Sequence, residues 1–544
     1  MKISAISPLE KVLTQKNEYR VIDKITLLQN ERGFFGVHFE NDAITRFFFS
    51  IELEGGLKDF ATIYKADEVP CTVTYQDVNL KDDYVISHER GLYPDPLKDI
   101  KAQKFSLARS VNCGFMVELF NDKGLPVGEH KLTIKAVHKG KVLDQTEITV
   151  EVLGVNLPEN DLMITQWIHY DSIAKVHGEK PFDDEYMTVL KKYFQMAVDY
   201  GQNMVMIPLF TFPLDTEIGL ERLTFQSVKV EKVGEEYKFD FTVTEKLIDL
   251  AFSCGFKYIE FSHLFTQWGA EKAPKVIATV LGKEERIFGW DTSSDGDDYR
   301  SFLGAFLTEL VKFIDKKGIR NKCCFHVSDE PNETHIQLYS SHVKFLKQYI
   351  GDMPIMDALS NYEYYELGFV DLPVVTTRFA HNFVERCPNF MVYYCCCECV
   401  DNLSNRFLNM PLARARVLGV QLYNSGTKGF LHYGFNFYNS AFSIFDVDPY
   451  RNTDAGGFLP SGDPFVVYPD KDLVVIPSIR LFAMAQAFED YRALKLLEKI
   501  KGKQFVLDFI ASEGVIDFKT YPTTEGFVES FRDKVNELIK RSID

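Results

Sequence analysis

The sequence predicts an α/β fold: a (β/α)8 TIM-like barrel preceded by an antiparallel β-sandwich and followed by a helical C-terminal region. Three observations carry that expectation. Short runs that alternate apolar and polar residues fill the first 155 positions, with turn signals between them. Apolar strands then alternate with amphipathic helices over roughly 300 residues, the span of a closed parallel barrel with insertions. No Gly-x-Gly-x-x-Gly follows any of those strands, which weakens the rival doubly wound sheet. The expected units are residues 1–155, 158–478 and 479–544.

In the first unit the β-rich runs are Tyr19–Ile22, Phe47–Ile51, Thr72–Tyr75 and Gly114–Leu119. The clearest pair is His130–Val137 and Glu147–Val152, joined through Lys139-Gly140-Lys141. Leu153 to Pro158 reads as a linker. The barrel series starts at Leu162–Trp167, followed by a helix over Asp184–Tyr200 and a strand over Asn203–Pro208. A helix from Thr244 to Cys254 leads into Tyr258–Phe261, and another runs from Asp298 to Lys316. The remaining strands are Cys323–His326, Pro354–Asp357, Pro373–Thr376, Phe390–Tyr394 and Gly429–Tyr433. From Ile479 to Asp544 the pattern is mainly helical and predicts packing on the barrel.

Lys and Arg total 61 against 78 Asp and Glu, a net charge of −17. Such a surface argues against nucleic acid or an anionic membrane as partner, because phosphates attract clustered Lys and Arg. No run is long and apolar enough to span a bilayer. The N-terminus lacks the apolar core of a secretory signal, so a cytoplasmic location is expected. Oligomeric state is not readable.

Five of the ten cysteines crowd into Cys387 and Cys395-Cys396-Cys397-Glu398-Cys399. On a strand, neighbours point to opposite faces, so this run cannot clamp one metal ion. Adjacent cysteines are also poor disulfide partners. The expectation is a buried strand of reduced thiols acting as small hydrophobes, with Glu398 solvated at its end and no metal site.

The most informative stretch is Phe325-His326-Val327-Ser328-Asp329-Glu330-Pro331. Two adjacent carboxylates stand where an apolar strand gives way to a helical pattern, and barrels carry their chemistry on such loops. A carboxylate pair can divide labour, one group donating a proton while the other stays charged. The plainer reading is that both acids favour the positive end of the next helix. All three tryptophans, Trp167, Trp268 and Trp290, lie at strand ends or in βα loops. Trp offers a broad apolar face with an N–H, suited to the C–H face of a sugar ring, though each could instead fill the core. His263, Tyr433 and Asn436 stand at the same mouth, with His263 slightly favoured as a satisfied structural histidine.

The phrases Phe261–Ala270, Phe288–Thr292 and Phe325–Pro331, with Gly462–Pro469 and Ser478–Tyr491 downstream, resemble glycoside hydrolase family 123 and the wider domain-of-unknown-function family 4091. The resemblance covers roughly residues 160 to 500. It implies a β-N-acetylgalactosaminidase with retaining, substrate-assisted chemistry, acting on an oligosaccharide or glycoside and needing no cofactor. The family's Asp-Glu pair falls on Asp329 and Glu330. Asp329 would orient the substrate's acetamido group and Glu330 would act as acid and then base. Tyr394 and Tyr433 are candidates to hold the acetamido group. Adjacent residues of a regular strand point apart, so the pair requires irregular backbone. Two other readings stand beside this one: a glycosidase of other sugars with an enzyme nucleophile, and a carbohydrate-binding protein on a barrel scaffold.

Overall fold

The computed structural model describes residues 1–13, 18–41, 46–75, 82–100, 103–108, 111–472 and 474–543. The chain opens with ten strands: β1 (Lys2–Ile6), β2 (Lys24–Leu28), β3 (Gly33–Glu40), β4 (Phe47–Gly55), β5 (Ala61–Cys71), β6 (Gly91–Asp99), β7 (Phe105–Leu107), β8 (Asn112–Leu119), β9 (Gly128–His138) and β10 (Lys141–Leu153). They form two five-stranded sheets, ordered β1-β3-β8-β5-β6 and β2-β10-β9-β4-β7. Alternation along each strand turns one face inward, and Phe35, Val37 and Val117 of one sheet share an apolar cluster with Ile134, Ile148 and Val150 of the other. Two details differ from the sequence reading. Tyr19–Ile22 and Thr72–Tyr75 are not strands, and β2 runs parallel to β10. No hairpin joins those two, so the turn chemistry that fixes an antiparallel register does not act on them.

After the linker, β11 (Met163–Gln166) begins a second series, followed by α1 (Tyr170–His177), α2 (Asp184–Asp199) and β12 (Met204–Ile207). Asp183 caps α2 by accepting from the Tyr186 N–H, and its acidic first turn suits the helix dipole. A small insertion, β13 (Lys229–Val233) and β14 (Glu236–Asp240), precedes α3 (Thr242–Cys254) and β15 (Tyr258–Phe261). A second hairpin, β16 (Val276–Val280) and β17 (Lys283–Phe288), joins that insertion in a four-stranded sheet that sequence reasoning missed. Its strands are short and charged, as in Lys283-Glu284-Glu285-Arg286, so the apolar alternation that betrays a strand is faint.

The series continues through α4 (Asp297–Lys317), β18 (Cys323–Phe325), α5 (Ile336–Ile350), β19 (Met356–Ala358), α6 (Glu363–Glu366), β20 (Leu372–Thr376), β21 (Met391–Tyr393), α7 (Ala413–Arg416), α8 (Leu418–Ser425) and β22 (Gly429–His432). Strands β12-β15-β18 form one parallel sheet and β11-β22-β21-β20-β19 another. A single parallel bridge, Phe325 with Ile355, connects them on one side, and the Asn203 N–H bonds to the Ile164 carbonyl on the other. The architecture is a mixed α/β fold with two curved parallel sheets in place of one continuous eight-stranded ladder. Strands of three or four residues leave room for few ladder bonds, which is why pairing thins to single bonds at two seams.

The chain ends with a two-stranded ribbon, β23 (Val467–Asp470) and β24 (Val474–Pro477), and three helices, α9 (Ile479–Lys501), α10 (Lys503–Glu513) and α11 (Phe527–Ile543). Asp544 lies outside the described residues. Helix α9 is buried along most of its length, wedged between the N-terminal sheets and the parallel ones. Phe482 stacks on Tyr200 at 5.1 Å and meets Phe34 and Tyr64 at 4.6 and 5.4 Å. Arg480, fully enclosed, forms a two-pronged pair with Asp95 of β6 at 2.8 and 2.7 Å. Removing one partner strands a charge in low dielectric, so Asp95→Ala should destabilise the protein by about 3–5 kcal/mol. The check is the urea midpoint, and a midpoint within error of wild type would refute it. Among the described residues, no helix is long and apolar enough to cross a membrane.

Candidate active site

All the sequence-selected site residues except Trp290, which follows the antiparallel strand β17, lie past the C-terminal end of a parallel strand, the end at which barrels gather reactive groups. The segment after β18 is held from several sides. Asp357, in the middle of β19, accepts from the Val327 and Ser328 N–H groups at 3.1 and 3.3 Å and from the Tyr339 hydroxyl at 2.5 Å. The Ser328 hydroxyl donates to the Thr266 carbonyl, the Trp268 N–H to the Asp329 carbonyl, and the Glu330 N–H to the Ala358 carbonyl. Glu330 sits at φ +45°, in the left-handed region that side chains adopt at a cost. The irregular backbone that an adjacent pair requires is therefore present.

Below the pair lies a buried row of charged groups. His326 bridges Asp357 and Glu260, its two ring nitrogens each 3.1 Å from a carboxylate oxygen. Burial works against its charge, yet the Asp357 and Glu260 bonds outweigh it and lift His326 to about 9. Burial also pushes Asp357 up, opposed by His326 and Tyr339. Its oxygens already accept from N–H and O–H donors, so the ionised form is the one that fits. His326 binds its proton more tightly folded than unfolded, so its stabilising contribution is complete below pH 6.5 and is lost as pH rises toward 9. The urea midpoint gap between wild type and His326→Gln should accordingly narrow from pH 6.5 to 9, and a widening gap would contradict the assignment.

The pair itself opens to solvent in a concave setting, with Asp329 half-buried and Glu330 exposed at the rim. Desolvation by the surrounding walls raises both carboxyls. For Asp329, the neighbouring charges of Glu330, Asp215 and Asp357 push further, while His326 pulls back. For Glu330, a 2.6 Å hydrogen bond from the Tyr393 hydroxyl pulls back. Like charges on neighbouring carboxyls disfavour one another's ionised form. A cleft of about 840 Å³ runs outward from Glu330, walled by Asn332, Leu359, Asn361, Tyr362, Phe379 and Tyr393.

The remaining sequence candidates divide. Trp268 is 40% exposed on left-handed backbone beside the pair. The Tyr433 hydroxyl donates to Asp463 at 2.7 Å, and burial lifts that carboxyl to about 7. Trp290 is partly buried and gives its N–H to the Leu220 carbonyl. Trp167 is enclosed and donates to Glu260 at 3.1 Å. Asn436 spends its amide on the His169 backbone, accepting at 2.9 Å and donating at 3.1 Å. Tyr394 is enclosed against Phe430 and His432, while the preceding Tyr393 reaches the carboxylate. The two neighbours face opposite sides, as strand alternation requires. Trp167, Asn436 and Tyr394 are thus all buried in this structure.

His263 departs from the satisfied-histidine expectation, since neither ring nitrogen has a partner among the described residues. Its ring stacks on His326 at 4.3 Å and 20°. His263, His326 and Asp357 lie close enough for a metal-ligand set, but stacked rings aim their in-plane lone pairs in parallel planes, so one ion cannot take both.

The cysteine run also differs from its expectation. Strand β21 stops at Tyr393, and Cys396 and Cys397 form a turn, with Cys397 exposed. Glu398 is not solvated: it is 2% exposed, accepts from the Cys395 N–H at 3.0 Å, and is lifted by burial to about 7. Sequence reasoning also passed over Asp215, Glu260, Tyr393 and Asp463. Glu260 and Tyr393 lie within short strands, where position near a strand end was the available cue, whereas Asp215 and Asp463 lie in long loops that offer none.

A comparison with family profiles adds the deciding observation. The profile described as "Glycoside hydrolase 123, catalytic domain" matches residues 167–497, well over half of the chain. The chain belongs to glycoside hydrolase family 123. Among solved structures, a family 123 glycoside hydrolase from Clostridium perfringens, studied for glycolipid glycan hydrolysis, is similar over 100% of this chain and 98% of its own. Its TM-score is 0.75 at 15% identity. A family 5 mannosidase from Rhizomucor miehei covers 64% of this chain and 94% of its own, with 11% identity and a TM-score of 0.32. A family 10 xylanase from Thermobacillus composti covers 60% and 97%, with 11% identity and a TM-score of 0.33. The family 123 structure shares the fold, and the other two overlap too little to bear on it. No curated protein matches the sequence. Family 123 membership makes the chain a glycoside hydrolase, and the loop carrying Asp329 and Glu330 falls within the matched region.

Proposed function

We propose that this family 123 hydrolase releases terminal β-linked N-acetylgalactosamine with retention, using the substrate's own acetamido group as nucleophile. The observation that carries the reading is the adjacent Asp329–Glu330 pair, split by left-handed backbone at Glu330, with Tyr393 bonded to Glu330. In this scheme the acetamido oxygen attacks the anomeric carbon and an oxazolinium forms, an exception to the two-carboxylate rule. Asp329 accepts the acetamido N–H and stabilises the charge that develops on it. Glu330 protonates the departing oxygen, then takes a proton from the water that opens the ring.

The electrostatics of the pair support this division. Desolvation raises both carboxyls, and the Glu330 charge raises Asp329 further. An N–H donor arriving at Asp329 favours its charged form, and that charge in turn favours the protonated acid on Glu330, where it is needed. The cleft extending from Glu330 suits the aglycone. Trp268, Tyr433 and His263 are the remaining groups we assign to the sugar.

We read the two parallel sheets as halves of one (β/α)8 barrel over residues 158–478, with a sandwich at 1–155 and a helical region at 479–544. The test is hydrolysis of matched 4-nitrophenyl β-glycosides of N-acetylgalactosamine, N-acetylglucosamine and galactose, by wild type and by the Asp329→Ala, Glu330→Ala double variant. Cleavage confined to 2-acetamido sugars and lost in the variant is expected. Cleavage of the galactoside would move the mechanism to an enzyme nucleophile.

A further inference from the structure

We infer that Asp215 is a third site carboxylate, one that selects the glycone by accepting a hydrogen bond from a ring hydroxyl on the side away from the 2-acetamido group; this rests on the reading above. The long loop after β12 carries Asp215 at φ +46°, in the left-handed region that Asp and Asn visit more readily than most side chains. Its main chain is held there from several sides. The Asp215 N–H donates to the Gln267 side-chain oxygen at 2.5 Å, and the Gln267 amide donates onward to the Thr216 carbonyl at 3.0 Å. The Ser443 hydroxyl donates to the Asp215 carbonyl at 2.6 Å, and the Glu217 N–H bonds to the Phe442 carbonyl. Loops following β12, β15 and β22 thus converge on one residue and fix its backbone on both sides.

All that fastening concerns the main chain. No hydrogen bond or ion pair among the described residues reaches the Asp215 carboxylate. The nearby cation, Arg222, is engaged elsewhere: on Asp171 at 2.5 and 3.0 Å, on His169 at 3.0 Å and on the Leu214 carbonyl at 3.3 Å. Gln267, which holds the Asp215 N–H, is followed directly by Trp268, whose N–H donates to the Asp329 carbonyl, so Asp215 stands beside the reacting pair, and its charge raises both Asp329 and Tyr433. Burial lifts the Asp215 carboxyl to about 6. A rigid acceptor with unspent lone pairs, facing the reacting pair, matches a neutral O–H donor. Asp329 is assigned to the 2-substituent and Glu330 to the glycosidic oxygen, so the hydroxyls left are those at C3, C4 and C6.

The experiment is a cycle of wild type and Asp215→Asn against the 4-nitrophenyl β-glycoside of N-acetylgalactosamine and its 3-, 4- and 6-deoxy forms. Asn tolerates left-handed backbone, and Asp215→Gly serves as a second variant should Asn fold poorly. At one position the deoxy substrate should lower wild-type kcat/KM about 10–100-fold, the range for a hydrogen bond to a charged group. Asp215→Asn should lose a similar factor on the parent sugar and nothing further on that deoxy form. Losses that multiply at all three positions overturn the inference. So does an inactive Asp215→Gly rescued by azide to a glycosyl azide, which would make Asp215 the nucleophile. A wild type silent on every 2-acetamido glycoside sinks the hydrolytic reading instead. The same cycle, read by calorimetric binding of the free sugars, then decides the role of Asp215 through coupling or its absence.

Discussion

Replacing Glu330 by Gln should lower kcat/KM by about 10²–10⁴-fold on a substrate whose aglycone is an alcohol or another sugar, the range for loss of a general acid. Gln keeps the length of the side chain and bears the same left-handed backbone, so the change isolates the proton. With a 4-nitrophenyl aglycone the leaving group departs as a stable anion, and the loss should shrink to about 10-fold or less. The contrast between the two substrates is the diagnostic quantity. Equal losses on both would remove Glu330 from the role of acid. Tyr393 gives a graded companion: its hydroxyl bond to Glu330 restrains the upward shift of that carboxyl. Tyr393→Phe should therefore move the alkaline limb of the pH–rate profile upward.

Asp329→Ala should cost about 10²–10³-fold on both kinds of aglycone, the scale of one lost electrostatic stabiliser. Its contribution precedes departure of the leaving group, so a better leaving group cannot compensate. Asp329→Asn should fare no better, because an amide cannot supply the negative charge that the forming oxazolinium needs. A loss confined to poor leaving groups would reassign Asp329 to proton transfer. The expectation also depends on Asp329 being ionised when substrate is bound, although burial and its neighbours raise it in the free protein. Measuring the pH dependence of kcat separately from that of kcat/KM tests that shift, since the first reports the bound enzyme and the second the free one.

Much of the parallel-strand region was legible because its strands are continuous apolar runs and its helices carry clear stripes. Tyr258–Phe261 was read to the residue, and the helix expected over Asp298–Lys316 spans Asp297–Lys317. The pair Asp329–Glu330 stood out because two acids follow a buried strand. What failed did so for local reasons. The segment Cys395–Cys399 reads as an apolar strand, but periodicity cannot say where pairing stops. Tyr393 and Tyr394 are equivalent in composition, and only the facing of β21 separates them. Asp215 carries no sequence signal, because its importance comes from Gln267 and Ser443, 52 and 228 residues away.

The pairing of Arg480 with Asp95 also orders events during synthesis. Asp95 leaves the ribosome 385 residues before Arg480 does. At bacterial or eukaryotic elongation speeds, that interval is roughly 20–80 s. Through all of it the nascent N-terminal sheets present an unmatched carboxylate, with Phe34 and Tyr64 bare of the Phe482 ring that finally covers them. A gene that splits the chain before α9 would leave both products with half of a buried charge pair, so the C-terminal helix acts as the closing clasp of the whole polypeptide.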